Sequence, residues 1–295
     1  MDGANVQVNL PTGKLWTPGR LKWLNRVNAV LFPPACRGCG ALMPSETGAE
    51  ASFPYLCSPC HQRLPWWNEA TSLGTGGATS AGVDALKAQE PEGGGLSRVR
   101  SVFAYAHPLD RWIPTFKYSG EDALCRMLGF LMGQAPWAGE TLRESDLVVP
   151  VPLHWRRLAW RGFNQSLLLA HHWRAASQGL APAPPLLPGL LKRHRFTQPQ
   201  VEMSALGRSS NVNDAFSLGR LPKGWRGTAR HAPSSPEALA HPGDSGRPLH
   251  GLRILLVDDV MTTGSTLRAC AAVLHRAGAA EVSALVLARA LRVAP

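Results

Sequence analysis

Residues 254–266 read ILLVDDVMTTGST, an apolar run interrupted only by two adjacent aspartates and followed by a hydroxyl-rich turn around one glycine. A short, nearly continuous apolar run is the pattern of a strand buried on both faces of a parallel sheet. Residues 265–277 have the periodicity of a helix, Gly278 is its stop signal, and 282–288 reads as a further strand. Strand (253–259), helix and strand in that order predict a right-handed crossover, hence an α/β fold with a parallel sheet flanked by helices. Open parallel sheets bind ligands beyond the carboxyl ends of their strands, and that is where the two acids and the turn fall.

The turn is a phosphate cradle. Its glycine lets the backbone come close to an anion, its hydroxyls donate, and the unpaired N–H groups of the helix start face the charge. The lysine and spacing of the G-x-x-x-x-G-K-[ST] loop are missing, so a monophosphate suits it better than a nucleoside triphosphate. Asp258 and Asp259, just before the cradle, can accept hydrogen bonds from the hydroxyls of a sugar that carries the phosphate. An acidic turn with an N-cap threonine is the plainer alternative, but it explains neither the doubled acid nor the serial hydroxyls.

Upstream, LVVPVPL at 147–153 reads as another buried strand, with helices predicted over 121–133 and 164–177. Asn164 is a candidate helix cap. SVFAYAHPLDRWIPTFKYSG, from 101, reads as a strand and then a basic aromatic segment, whereas the prolines of 181–190 break regular structure. Residues 220–251 have the composition of an exposed insertion of low order, and 67–100 that of a flexible linker. Trp23 to Phe32 has helical apolar spacing.

The 295-residue chain carries a net charge of +11 and 44% apolar residues, enough for a core. Between 150 and 230 stand twelve Lys/Arg against two acids, and ten of the twelve are arginine. Such a concentration suits a polyanion, either nucleic acid or a phosphorylated small molecule, although a merely soluble basic surface gives the same count. The amino terminus lacks the pattern of a secretory signal and no run of about 18 apolar residues could span a bilayer, so a cytoplasmic protein with reduced thiols is expected.

Cys36, Cys39, Cys57 and Cys60 form C-x2-C-x17-C-x2-C, a spacing that brings two thiolate turns around one tetrahedral Zn2+. Four thiolates leave no open position for a water, so the predicted site is structural. Cys125 and Cys270 fall on helical patterns and read as small buried apolar residues.

ILLVDDVMTTGST resembles the phosphoribosyl pyrophosphate (PRPP) motif of type I phosphoribosyltransferases. Together with PVPLHWRRLAWRGFNQS, FKYSG and RHRFTQPQVEMSALGRSSNVNDAF it is similar to the ComF family over 30–66 and 100–290. The resemblance implies a small zinc ribbon, with its helix, over 20–66 and a phosphoribosyltransferase-like domain over 101–292. It implies ribose hydroxyls on Asp258 and Asp259 and a phosphate on Thr262, Thr263, Gly264, Ser265 and Thr266. Pyrophosphate, with Mg2+, would fall to Arg156, Arg157 and Arg161 in the turn after the VPVPL strand. Lys117 and the segment from Arg193 to Arg208 would close over the site. As catalytic residues it implies Asp258, Asp259 and Arg161.

Transfer of phosphoribosyl to an unknown acceptor, linked to DNA uptake or nucleotide metabolism, is one implied function. The other is a non-catalytic protein that binds single-stranded DNA, or DNA-uptake proteins, and uses the PRPP site as a sensor. Trp155, Trp160, Phe163 and Trp66 or Trp67 are the candidate stacking residues, with core packing the expected role of each. The paired cysteines of a second ribbon, frequent in the family, are missing from 68–100.

Overall fold

The computed structural model describes residues 35–43, 55–67, 95–177, 183–195, 215–221 and 247–290. Contacts divide the chain into two units, Met1–Arg63 and Leu64–Pro295. The first contains Cys36, Cys39, Cys57 and Cys60 and a short helix, α1 (Ser58–Gln62). The expected helix at 23–32 lies outside the described residues.

In the second unit the described elements run β1 (Arg98–Ala104), α2 (Leu109–Ser119), α3 (Asp122–Gly133), α4 (Ala138–Arg143), β2 (Leu147–Pro150), α5 (Trp155–Arg161) and α6 (Gln165–Ala176). They continue as β3 (Leu191–Arg193), β4 (Phe216–Leu218), β5 (Arg253–Met261), α7 (Ser265–Arg276) and β6 (Glu281–Arg289). Four strands form a parallel sheet in the order β1-β6-β5-β2, and β3 and β4 form a separate antiparallel pair.

The central strand explains the apolar run. β5 pairs on one side with β2 (Val257 opposite Pro150) and on the other with β6 (Val257 opposite Leu285), and Ile254 through Val257 are buried. Alternation along the strand sends Ile254 and Leu256 into a cluster with Leu267, Cys270, Ala271 and Leu274 of α7, residues spaced three and four apart on one helical face. On α6, Leu169 and Trp173 are fully buried, and this helix packs on β5 and α3. A Cβ at Gly129 would lie 2.4 Å from the Cβ of His172, so α3 and α6 approach closely only because that position has no side chain. Cys125 and Cys270 are buried apolar residues, as expected.

Several boundaries differ from expectation. β1 begins at Arg98, inside the expected linker, and the Trp67 N–H donates to Val102 O (2.8 Å), so the polar start RVRS reads as loop only in isolation. The proline-rich segment lies alongside β2: Val148 N donates to Pro185 O (2.9 Å) and Leu187 N to Val148 O (3.0 Å). Proline lacks an N–H, but at a sheet edge its carbonyl still accepts. Of the expected insertion, 222–246 lies outside the described residues, while Leu249 is fully buried and its N–H donates to Ala277 O (3.0 Å).

Candidate functional site

Asp258 and Asp259 stand near the carboxyl end of β5. Adjacent side chains on a strand point to opposite faces, so the two acids meet different neighbours. Asp259 is buried; its Oδ1 accepts from Val260 N (2.7 Å) and its Oδ2 lies 2.7 Å from Lys117 Nζ. Asp258 is half-buried, and its Oδ1 accepts from Ser166 Oγ (2.9 Å) and from Asp259 N (2.9 Å). Among the described residues both of these donors go to Oδ1, which leaves Oδ2 open to a further donor. Burial and the charge of Asp259 push Asp258 up to about 7, against the hydrogen bonds from Ser166 and Asp259 N and the charge of Lys117, which favour the carboxylate.

The hydroxyl-rich turn opens α7 with Gly264 as N-cap, at φ +75°, a conformation that a side chain disfavours. No side chain caps the helix at that residue. Thr263 Oγ1 donates to Ser265 Oγ (3.1 Å) and accepts from Ser265 N (3.4 Å), Thr262 is exposed, and Thr266 is half-buried. This first turn, whose leading amides lack intrahelical acceptors, follows the acid pair by a few residues.

Lys117 comes from the last turn of α2, so FKYSG is the end of a helix closed by Gly120. Its consecutive side chains diverge: Phe116 is buried against Phe163 (5.8 Å between centroids), Lys117 reaches Asp259, and Tyr118 is exposed beside Trp160 (5.7 Å). Lys117 therefore serves the acid pair first.

The expected pyrophosphate turn is helix α5. Four residues apart, Arg157 and Arg161 share one side of it, and the Arg161 guanidinium lies over the Tyr118 ring (5.5 Å). Burial, and then the charge of Arg161, hold Arg157 below the usual guanidinium range. Arg156 is one step round the helix, exposed and stacked on Trp155 (5.3 Å), and does not join them. Trp155 and Trp160 are 63% and 69% exposed, contrary to the core role expected of them, and none of the residues of their helix is buried. Phe163 and Trp66 are half-buried, and the Trp66 ring lies tilted against Phe103 (4.7 Å between centroids).

A residue without an expected role, His154, organises this region. It is buried; its Nδ1 accepts from Arg156 N (3.3 Å), capping α5, so the other nitrogen carries the proton and donates to His194 O (3.0 Å). The β3–β4 pair is thereby fastened to the start of α5. It carries Arg193, the first residue of the expected closing segment, lowered by burial first and then by Arg157, with Asp258 opposing. The rest of that segment, from Phe196 to Arg208, lies outside the described residues.

A cavity of about 180 Å³ at the amino-terminal ends of the strands is lined by Arg98, Arg100, Arg253 and Glu281 among others. Arg98 is paired with Glu144 (2.8 Å) and Arg100 with Glu140 (2.9 Å), so its charge is internally compensated.

In the first unit the Sγ atoms of Cys36, Cys39, Cys57 and Cys60 all lie within 4.8 Å of one another, and Cys39 and Cys57 are 3.8 Å apart. Tetrahedral thiolates about 2.3 Å from a zinc ion stand roughly 3.8 Å apart, so the set fits such an ion. A Cβ at Gly38 would lie 2.9 Å from Cys60 Sγ, which only a glycine avoids. Burial opposes ionisation of Cys36, but N–H donors from Cys57, Cys39 and Gly38 bring it down to about 6. Burial and the other three cysteines push Cys60 up to about 12. A shared cation would relieve that repulsion.

A parallel sheet with an acid pair and an amide-rich helix start at its carboxyl edge defines a phosphoribosyltransferase-like protein, and residues 226–292 match the phosphoribosyl transferase domain family. Competence protein F of Haemophilus influenzae is 30% identical over 258 residues, covering 86% of this chain and 90% of that protein. DNA utilization protein YhgH is 31% identical in Salmonella typhimurium over 201 residues and in Escherichia coli K12 over 204, each covering 66% of this chain and 73% of the relative. The chain belongs to the ComF family. No described helix is long and apolar enough to cross a membrane.

Proposed function

We propose that the protein binds PRPP with Mg2+ and transfers its phosphoribosyl group to an acceptor, in the service of DNA uptake or nucleotide metabolism. The observation that carries this is the open Oδ2 of Asp258, beside Asp259 and its lysine and a few residues before the Gly264-capped helix start. The ribose hydroxyls donate to the acid pair, and the terminal phosphate meets the amides and hydroxyls of 262–266. Arg157 and Arg161 face the pyrophosphate. As the bond from the sugar carbon to pyrophosphate breaks, charge grows on the leaving group, and fixed guanidinium groups stabilise it without reorganising. Mg2+, bound with PRPP, adds to that neutralisation. No nucleophile from the chain is required. The four cysteines hold a structural Zn2+, which suits the reducing cytoplasm.

The test is calorimetric titration with PRPP and Mg2+, beside a pyrophosphate-release assay over a panel of bases and amines. Binding by the wild type and its loss in Asp258→Asn/Asp259→Asn are expected; equal binding by both rejects the reading.

A second reading, favoured by the exposed Trp155 and Trp160 with Arg156 and Arg161 between and beyond them, is single-stranded DNA along α5. Bases stack on the indoles while arginines meet phosphates. The relatives' names, competence protein F and DNA utilization protein, agree with it. Trp155→Ala/Trp160→Ala should weaken single-strand binding at least tenfold and spare PRPP binding; unchanged DNA affinity at several salt concentrations rejects it.

A further inference from the structure

The RGFNQS stretch, 161–166, is only half used by that reading: Arg161 has a role, and the residues after Gly162 have none. Asn164 Oδ1 accepts from Ser166 N (3.0 Å), and its Nδ2 donates to Val151 O (3.1 Å), so the start of α6 is tied to the chain just beyond β2. This places Ser166, 1% exposed, with its Oγ 2.9 Å from Asp258 Oδ1. Among the described residues the other donor to that oxygen is Asp259 N, from the next residue along the chain. A neighbouring backbone donor alone leaves the carboxylate freer to turn about its last bond. A second donor, from a different element and 92 positions away, fixes its plane.

We propose that Ser166 is a positioning residue of the sugar site: its hydroxyl holds Asp258 by Oδ1 so that Oδ2 is presented to a ribose hydroxyl. This rests on the reading of the acid pair as the ribose site. It also gives RGFNQS one purpose, since Arg161 faces the leaving pyrophosphate and Ser166 orients the acid that holds the sugar. The bland account is that a buried serine has found the nearest acceptor and that only its packing matters.

Ser166→Cys separates the two accounts, because it nearly keeps the shape and replaces a strong donor by a weak one. Ser166→Ala removes the donor altogether. PRPP with Mg2+ is titrated into wild type, both variants and Asp258→Asn across about pH 6 to 9, with thermal melts of each. The expected result is a ten- to hundredfold loss of affinity in Ser166→Ala and a loss of the same sign in Ser166→Cys. The pH midpoint of binding should move upward in both, because the Ser166 hydrogen bond favours the ionised form of Asp258. Wild-type affinity and midpoint in Ser166→Cys overturn the proposal while leaving the ribose reading intact, provided Asp258→Asn fails to bind. Failure of the wild type itself to bind PRPP removes the ribose reading and this proposal with it.

Discussion

Asp258→Asn should stabilise the protein at alkaline pH. Burial and Asp259 hold Asp258 at about 7 in the folded chain, against about 3.9 for an unfolded aspartate. Between these values the native state retains a proton that the unfolded state has lost, so stability falls as pH rises through the window and stays low above it. At about 1.4 kcal/mol per pKa unit the full effect is roughly 4 kcal/mol, of which about a third is already present near pH 5.

Asparagine avoids it. Its Oδ1 still accepts from Ser166 and Asp259 N, and its amide nitrogen takes the open position of Oδ2. The stability advantage of the variant should therefore grow by about 2–3 kcal/mol between roughly pH 5 and pH 8.5. In a domain of this size that is a widening of about 5–10 °C in Tm. Paired thermal melts of wild type and variant over this range measure it, and the cysteine cluster, common to both, cancels in the difference. A Tm difference that stays constant with pH, or narrows as pH rises, refutes the reasoning.

Cys57→Ser, or a zinc chelator, should release the metal and loosen 35–43 and 55–63 while PRPP binding persists; hydrogen exchange and a PRPP titration on the same sample check both halves. Gly264→Ala should cost about 1 kcal/mol, since φ there is positive, and should weaken PRPP binding further by crowding the phosphate turn. Titration of PRPP against ribose 5-phosphate would locate that loss at the shared phosphate. His154→Ala removes the cap of α5 and its link to His194, costing about 1–2 kcal/mol. Amide exchange that speeds up relative to wild type at 191–193 and 216–218 but not in the four-stranded sheet is the expected signature, and an unchanged rate at those residues would contradict the fastening role.

β5, α7 and β6 were legible because a strand covered on both faces, a glycine-led helix start and a Gly278 stop each leave an unambiguous local pattern. The helix ending in FKYSG was less so, since Pro114 interrupts the helical pattern from within. α5 was hidden for another reason: Trp155, Leu158 and Trp160 look like core residues, yet all three are exposed on a helix that buries none of its residues. In the site, the acids and the phosphate turn are contiguous in sequence and could be read together. The contacts of Asp258 with Ser166 and of Asp259 with Lys117 join distant segments, and no local spacing encodes them.

The order of the strands also dictates when the sheet can be completed. β1 lies at an edge and its sheet neighbour is β6, so Arg98 must wait for Ser283. With roughly 180 residues between them, ribosomal synthesis alone imposes a delay on the order of 10–40 s, and such distant pairing is intrinsically slow. Pro65–Trp67, already synthesised, bonds to β1 through Ala104 N and Val102 O. The nascent strand thus has a companion on one side, which it keeps in the folded protein, while its other side stays exposed to chance pairing until β6 is made.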